Sequence, residues 1–296
     1  MMNAKPIDPR TIRPSPIAGT WYPGSPDELQ GTVDGLLAQA EYFPTDDELI
    51  ALISPHAGYP YSGQTAAYAY RQLMNRQYDS VVLMGPSHYD DFGAYAVTAK
   101  KYYATPLGAI ELDQELIGAL AAKLPLARVT QDREHSLEIQ LPFLQRVLGD
   151  FKLVPIMLSL PFYLVGEDAL APCQRLADAL AELAKTRRVL LVASSDLSHL
   201  PDYKAVKQFD ARTEKLVAAY DVPGLVRYMW QAHQCRACGD APIVTALLAA
   251  KALGADRVRV LHRTNSGDVT GERDRAQYVV GYMAAGVYKS KGKSEK

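Results

Sequence analysis

Six histidines occur in the 296 residues, and three of them sit in contexts suited to chemistry. His56 lies in Ser54-Pro55-His56-Ala57-Gly58-Tyr59-Pro60-Tyr61-Ser62-Gly63, His88 in Gly85-Pro86-Ser87-His88-Tyr89, and His199 in Ser194-Ser195-Asp196-Leu197-Ser198-His199. Imidazole is the commonest metal ligand and the usual acid–base group near neutral pH. Each of the three follows a short apolar run, at 49–53, 80–84 and 189–193, by three to six residues. A buried strand that runs into a polar loop delivers side chains to the carboxyl edge of a sheet, where open α/β sheets keep their ligands. The three are therefore read as one site on one edge. His233 and His262 carry no such context and are read as ordinary satisfied histidines.

Other residues extend the pattern. Cys235-Arg236-Ala237-Cys238 has the spacing of half a zinc site or of a redox pair, but no second pair completes the four ligands of a structural Zn²⁺. One thiolate beside two histidines is the economical reading; two small buried thiols without a role is the other. A Ser/His/Asp hydrolase is disfavoured because the strained G-x-S-x-G turn is missing. Asp196 and His199 instead suit a carboxylate and a general acid–base facing a metal-bound ligand. His135 and Glu138 fall on one face of a helix, either as a solvated helix start or with His135 behind the ligands at the mouth of the site. The cluster 265–271 reads as a surface turn.

The rest of the chain must position these groups. Ser25, Pro26, Asp27 and Glu28 start a helix with Leu29, Val33, Leu36 and Leu37 on one face. Helices are expected over 63–76, 113–124, 134–148 (kinked or broken at Pro142), 166–185, 202–220, 222–234 and 242–253. Weaker strands are expected at 95–98 and 109–112 around a polar loop 100–108, and at 128–130. The strand 153–158 contains Pro155, which argues for an edge or an irregular position. Strands 257–262 and 277–288 close the chain, the last long enough to be central. The expected architecture is a single α/β domain over residues 1–288, a central mixed β-sheet flanked by helices, with 289–296 a polar tail. A net charge of −1 gives no broad basic field for nucleic acid or an anionic membrane. Neither a signal peptide nor an apolar run of the ~20 residues that span a bilayer is visible, and three cysteines suit a reduced, cytoplasmic setting.

Seven segments occur in order: Gly19-Thr20-Trp21-Tyr22-Pro23, Pro55 to Gly63, Gly85-Pro86-Ser87-His88, Glu134-His135-Ser136-Leu137-Glu138, Ser194 to His199, Cys238-Gly239 and Asn265-Ser266-Gly267-Asp268. Together they resemble the Memo family, whose bacterial and archaeal members are called AmmeMemoRadiSam system protein B. That family resembles the class III extradiol dioxygenases, non-haem Fe(II) enzymes, in fold. The resemblance implies a metal held by His56, His88 and Cys238, with the cysteine where the dioxygenases have a glutamate and His199 at their acid–base position. His199, Asp196 and His135 would be catalytic, and Tyr59 and Tyr61 would line the substrate pocket. The resemblance implies Fe(II), and because a thiolate is softer than a carboxylate and favours Cu(I), Zn or a more covalent iron site, copper or zinc are the alternatives. The activity implied is that of a dioxygenase-like oxidoreductase on an unknown small molecule or peptide. The alternative is a non-catalytic adaptor binding a peptide or partner in the same cleft. The family name also implies a link to an AMMECR1-type protein and a radical-SAM enzyme.

Overall fold

The structure, a computed structural model, describes residues 7–159, 167–231, 237–273 and 278–291. Cys235 and His233 lie outside the described residues, as does the end of the polar tail from 292. Along the chain run β1 (Ile12–Arg13), α1 (Pro26–Gln39), β2 (Glu48–Ser54), α2 (Tyr59–Arg71), β3 (Ser80–Pro86), β4 (Tyr95–Thr98), β5 (Tyr102–Thr105), β6 (Gly108–Glu111), α3 (Gln114–Ala121) and β7 (Leu126–Val129). They are followed by α4 (His135–Glu138), α5 (Leu141–Leu148), β8 (Lys152–Leu158), α6 (Glu167–Ala184), β9 (Val189–Ser194) and β10 (His199–Leu200). The chain closes with α7 (Tyr203–Ala218), α8 (Val222–Val226), α9 (Asp240–Ala252), β11 (Arg257–Asn265), α10 (Ser266–Thr270) and β12 (Val279–Lys289).

The main sheet has the order β10-β12-β2-β9-β3-β8-β4-β7, with β11 also paired to β12. β2, β9, β3 and β8 are mutually parallel, and β12 and β4 run antiparallel to their neighbours in this group. This is a mixed sheet in one α/β domain. Parallel strands covered on both faces read as unbroken apolar runs, which is why β3 and β9 are buried throughout and β2 from Leu49 onward. α9 packs on β2, β9 and β3 beside α6, while α2 packs on β2, β11 and β12 with α1 and α5 against it. α1 begins as its sequence demands, with the Ser25 side chain accepting from the Glu28 amide and Leu29, Val33 and Leu37 buried. No helix among the described residues is long and apolar enough to cross a membrane.

Several local expectations are corrected. α2 starts at Tyr59 rather than 63, because Pro60 occupies the first turn, where its missing N–H costs nothing. The stretch 100–108 is not all loop: Tyr102–Thr105 pairs with both β1 and β6 in a separate three-stranded sheet. The break expected near Pro142 is present: residues 134–148 form two helices, with Pro142 in the first turn of the second. Pro155 is not on an edge strand, since β8 runs between β3 and β4. On the β4 side, however, the pairing reaches only Met157 and Leu158, so the proline sits where that neighbour is absent. Of the helix expected over 222–234, the described residues form α8 followed by a π-turn at Arg227–Gln231. Asn265–Gly271 is no simple turn: Asn265 caps the short α10, which stops at Gly271 with φ +81°.

Candidate metal centre

Parallel register brings the site together. Ser54 pairs with Ser194 and Met84 with Ala193, so β2, β3 and β9 end at nearly the same level. His56 and His88 each follow a strand end by two residues. Past β9, the Ser195 amide donates to the Ser54 carbonyl and the Leu197 amide to that of Gly281, which fixes the loop bearing Asp196. His199 opens β10, paired with Val280 of β12. Cys238 arrives from the turn before α9, where the Gly239 amide donates to Ser195 Oγ at 3.0 Å. His135 begins α4, whose N-terminus is capped by the Glu134 carboxylate on the Ser136 amide at 2.9 Å.

One ring nitrogen from each of His56, His88 and His135 lies within 4.8 Å of the other two. The His88 and His135 rings stack at 4.4 Å, and His56 meets both edge-on at 5.3 and 5.7 Å. Cys238 is outside this nitrogen triad, but its Sγ lies 3.0 Å from His56 Nε2. In each ring Nδ1 has a partner: Ser194 Oγ for His56 (3.0 Å), Glu134 Oε1 for His88 (2.9 Å) and the Tyr89 hydroxyl for His135 (3.0 Å). Glu134 also accepts the His88 backbone amide at 2.7 Å. A carboxylate on Nδ1 makes that nitrogen the donor and leaves Nε2 with a free lone pair, the arrangement that orients a metal-bound histidine. Burial drives the His56 ring down to about 3, with neighbouring His88 adding to the effect. Burial, followed by His56, drives His135 down to about 3 as well. Burial pulls the Glu134 carboxyl upward, and the hydrogen bond and charge of His88 overcome it, holding the group down at about 2. Neutral imidazoles backed by polar partners are what a transition metal binds, so the residues present fit such an ion.

The three histidines open into a cleft of about 680 Å³ that Trp21, Tyr61, Asp196, His199, Glu272 and Tyr282 also line. Tyr61 is on its rim, 48% exposed. Tyr59 is not in this lining: residues two apart on a helix point about 200° from each other. Its ring is buried, with the hydroxyl donating to the Ile139 carbonyl at 3.0 Å. Asp196 accepts the His56 amide at 2.7 Å, and burial pushes its carboxyl up to about 6. His199 is exposed, its Nδ1 donating to the Leu197 carbonyl at 2.9 Å. Sequence reasoning missed Glu134, Tyr89 and Ser194 as the groups that hold the rings. A carboxylate immediately before His135 was the one visible signal. The Trp21 ring, 4.4 Å from that of His135, was not read as part of the site.

The fold and site define an α/β protein with a polyhistidine pocket, suited to a metal ion, at the carboxyl edge of its sheet. A family model described as "Memo-like protein" matches residues 13–286. The chain belongs to the Memo family. Proteins named "MEMO1 family protein" match it nearly end to end. One from Aeropyrum pernix is 38% identical over 293 residues (93% of this chain, 99% of that one). Another from Methanosarcina mazei is 34% identical over 275 residues (92% and 98%), and one from Nitrosopumilus maritimus 30% over 282 (92% and 98%). The crystal structure of an uncharacterized protein from Escherichia coli K12 aligns at a TM-score of 0.46 with 14% identity, covering 80% of this chain and 99% of that one. That score is too low to bear on the site.

Proposed function

We propose that the protein is metal-dependent: His56, His88 and Cys238 hold one ion, Fe(II) in preference to copper or zinc, and a substrate in the adjoining cleft undergoes dioxygenase-like oxidation. The observation that carries this reading is the convergence of three imidazoles, with a thiol against one of them, at the floor of an open cleft. Bound there, the ion would supply redox or Lewis-acid chemistry. A mixed imidazole–thiolate set favours a soft or borderline ion. His135 stands within reach of the same point and shapes the wall beside Trp21. Asp196 and His199 face the cleft from the β9–β10 side. Asp196, near its midpoint at mildly acidic pH, is suited to holding or releasing a proton, and exposed His199 to passing it to solvent. Tyr61 and Tyr282 supply aromatic walls for a flat substrate.

Metal analysis of protein purified without oxygen tests the proposal. About one ion per chain is expected, with most of it lost in the His56→Ala, His88→Ala and Cys238→Ala variants. Full metal content in all three would sink the assignment. A second reading is favoured by the exposed rim, where Tyr61 and Tyr278 are 48% and 69% exposed: the cleft binds a peptide without turning it over. Oxygen uptake by the loaded protein across a panel of catechols separates the two, since a binder consumes none.

A further inference from the structure

A buried hydrogen-bond chain runs beneath the His56 ring, and chemistry fixes the direction of nearly every link. The Tyr70 and Ser54 hydroxyls both reach Gln140 Oε1, at 2.7 and 3.0 Å. At the other end of that amide, Nε2 reaches the Pro55 carbonyl and Ser194 Oγ, each at 2.8 Å. A carbonyl only accepts, so nitrogen must face Pro55. The flipped amide would set two carbonyl oxygens against each other. Ser194 Oγ in turn lies 2.6 Å from the Ser136 carbonyl, another group that only accepts. The single hydroxyl proton of Ser194 is therefore committed to Ser136. Its lone pairs are left for two donors. One is Gln140 Nε2, and the other has to be His56 Nδ1 at 3.0 Å. Ser54, His56, Tyr70, Ser136, Gln140 and Ser194 are all at most 2% exposed, so bulk water offers no substitute partner.

We infer that Ser194 is a positioning residue that locks His56 as the Nδ1–H tautomer, its hydroxyl aimed by the Ser136 carbonyl, so that Nε2 turns a free lone pair toward Cys238 and the other two imidazoles. The use of that lone pair rests on the proposed metal centre; the tautomer itself does not. With the proton on Nε2 instead, the Nδ1 lone pair would face a Ser194 oxygen that has no proton to give. His88 reaches the same state by a different route, through the Glu134 carboxylate. The two rings are thus prepared identically by unrelated partners.

The test reads the tautomer in metal-free protein. Nitrogen-15 NMR of the full chain labelled at histidine, with the His56 signals assigned from a His56→Gln variant, should give a pyrrole-type Nδ1 and a pyridine-type Nε2. Ser194→Ala should abolish that preference and weaken binding of Fe(II) or Zn²⁺ by about 10–100-fold, the usual cost of removing a group that orients a ligand. A pyridine-type Nδ1 in the unaltered protein overturns the inference, and that measurement needs no variant to fold. An unchanged His56 tautomer in Ser194→Ala overturns it as well. If the unaltered protein shows the Nδ1–H form and Ser194→Ala loses it, while neither binds metal, the inference stands and the metal reading alone fails.

Discussion

Arg13 offers the sharpest test of what holds the site's outer wall in place. Its side chain is 1% exposed, and it forms an ion pair with Glu138, which is fully buried. Asp132, whose side chain is also buried, lies 3.4 Å from its other terminal nitrogen, and that nitrogen donates to the Glu134 carbonyl at 2.5 Å. Glu138 is further held by Ser15 and Tyr22, whose oxygens approach to 2.5 and 2.7 Å. One guanidinium thus pins the loop and short helix that carry Glu134 and His135. Replacing it with methionine keeps most of the volume and strands two carboxylates in the interior. Removing one partner of a buried pair costs about 3–5 kcal/mol, and Arg13 Nε, buried without a hydrogen-bond partner, pulls the expectation toward the lower end. For a chain of this size that is a fall in Tm of roughly 5–8 °C. Urea unfolding of Arg13→Met, Glu138→Leu and the double variant gives the coupling directly. The double variant should be less damaged than the sum of the singles by about 0.5–3 kcal/mol. A loss below about 1 kcal/mol for Arg13→Met, or strict additivity, would refute the claim that this pair anchors the wall.

Three further outcomes follow from the geometry. In Gly85→Ala the new Cβ would lie 2.5 Å from Ser136 Oγ and 2.8 Å from Leu137 Cδ2; overpacking of this kind costs about 1–3 kcal/mol, and because α4 must shift, metal content should drop too, as urea unfolding and metal analysis would reveal. Burial lowers the pKa of His262, which touches Thr65 Oγ1 at 3.0 Å and stacks on Tyr68. The unfolded chain therefore takes up this proton first as pH falls below about 6.5, and stability present above that value is lost toward the lower native pKa. His262→Gln should show a smaller difference in Tm between about pH 8 and about pH 5 than the unaltered protein, and an equal difference would count against it. Metal at about 100 times its Kd should add about 2.7 kcal/mol of stability that a chelator removes; a thermal melt indifferent to chelator would mean that no ion binds the folded state.

The strands were legible because parallel β-strands buried on both faces must be apolar without interruption. Residues 49–53, 80–84 and 189–193 could hardly be anything else, and the proline or serine after each marks where the sheet releases the chain. From there the meeting of His56, His88 and Asp196 follows from strand order alone. Tyr102–Thr105 was hidden by the charged residues and glycine around it, and it is a strand only because β1 and β6 lie alongside to pair with it. The choice between Tyr59 and Tyr61 was hidden for a related reason: which one faces the cleft depends on where α2 begins, and Pro60 moves that start back by four residues.

The supporting groups were harder to read than the ligands, and physics says why. A ligand needs one atom type at one place, which a motif can advertise. An orienting group needs only a donor or acceptor of the right sense, which serine, glutamate, tyrosine or a backbone carbonyl supplies equally well. Ser194 became informative only once Ser136 and Gln140 were seen to use up its proton and one lone pair. The same accounting bears on His135. Its Nδ1 meets a tyrosine hydroxyl at 3.0 Å, which can donate or accept, and the Glu134 carboxylate only at 3.4 Å, so its proton is held more loosely than those of His56 and His88. A ring whose proton is held more loosely is the weaker candidate for a permanent ligand and the better one for answering to whatever enters the cleft.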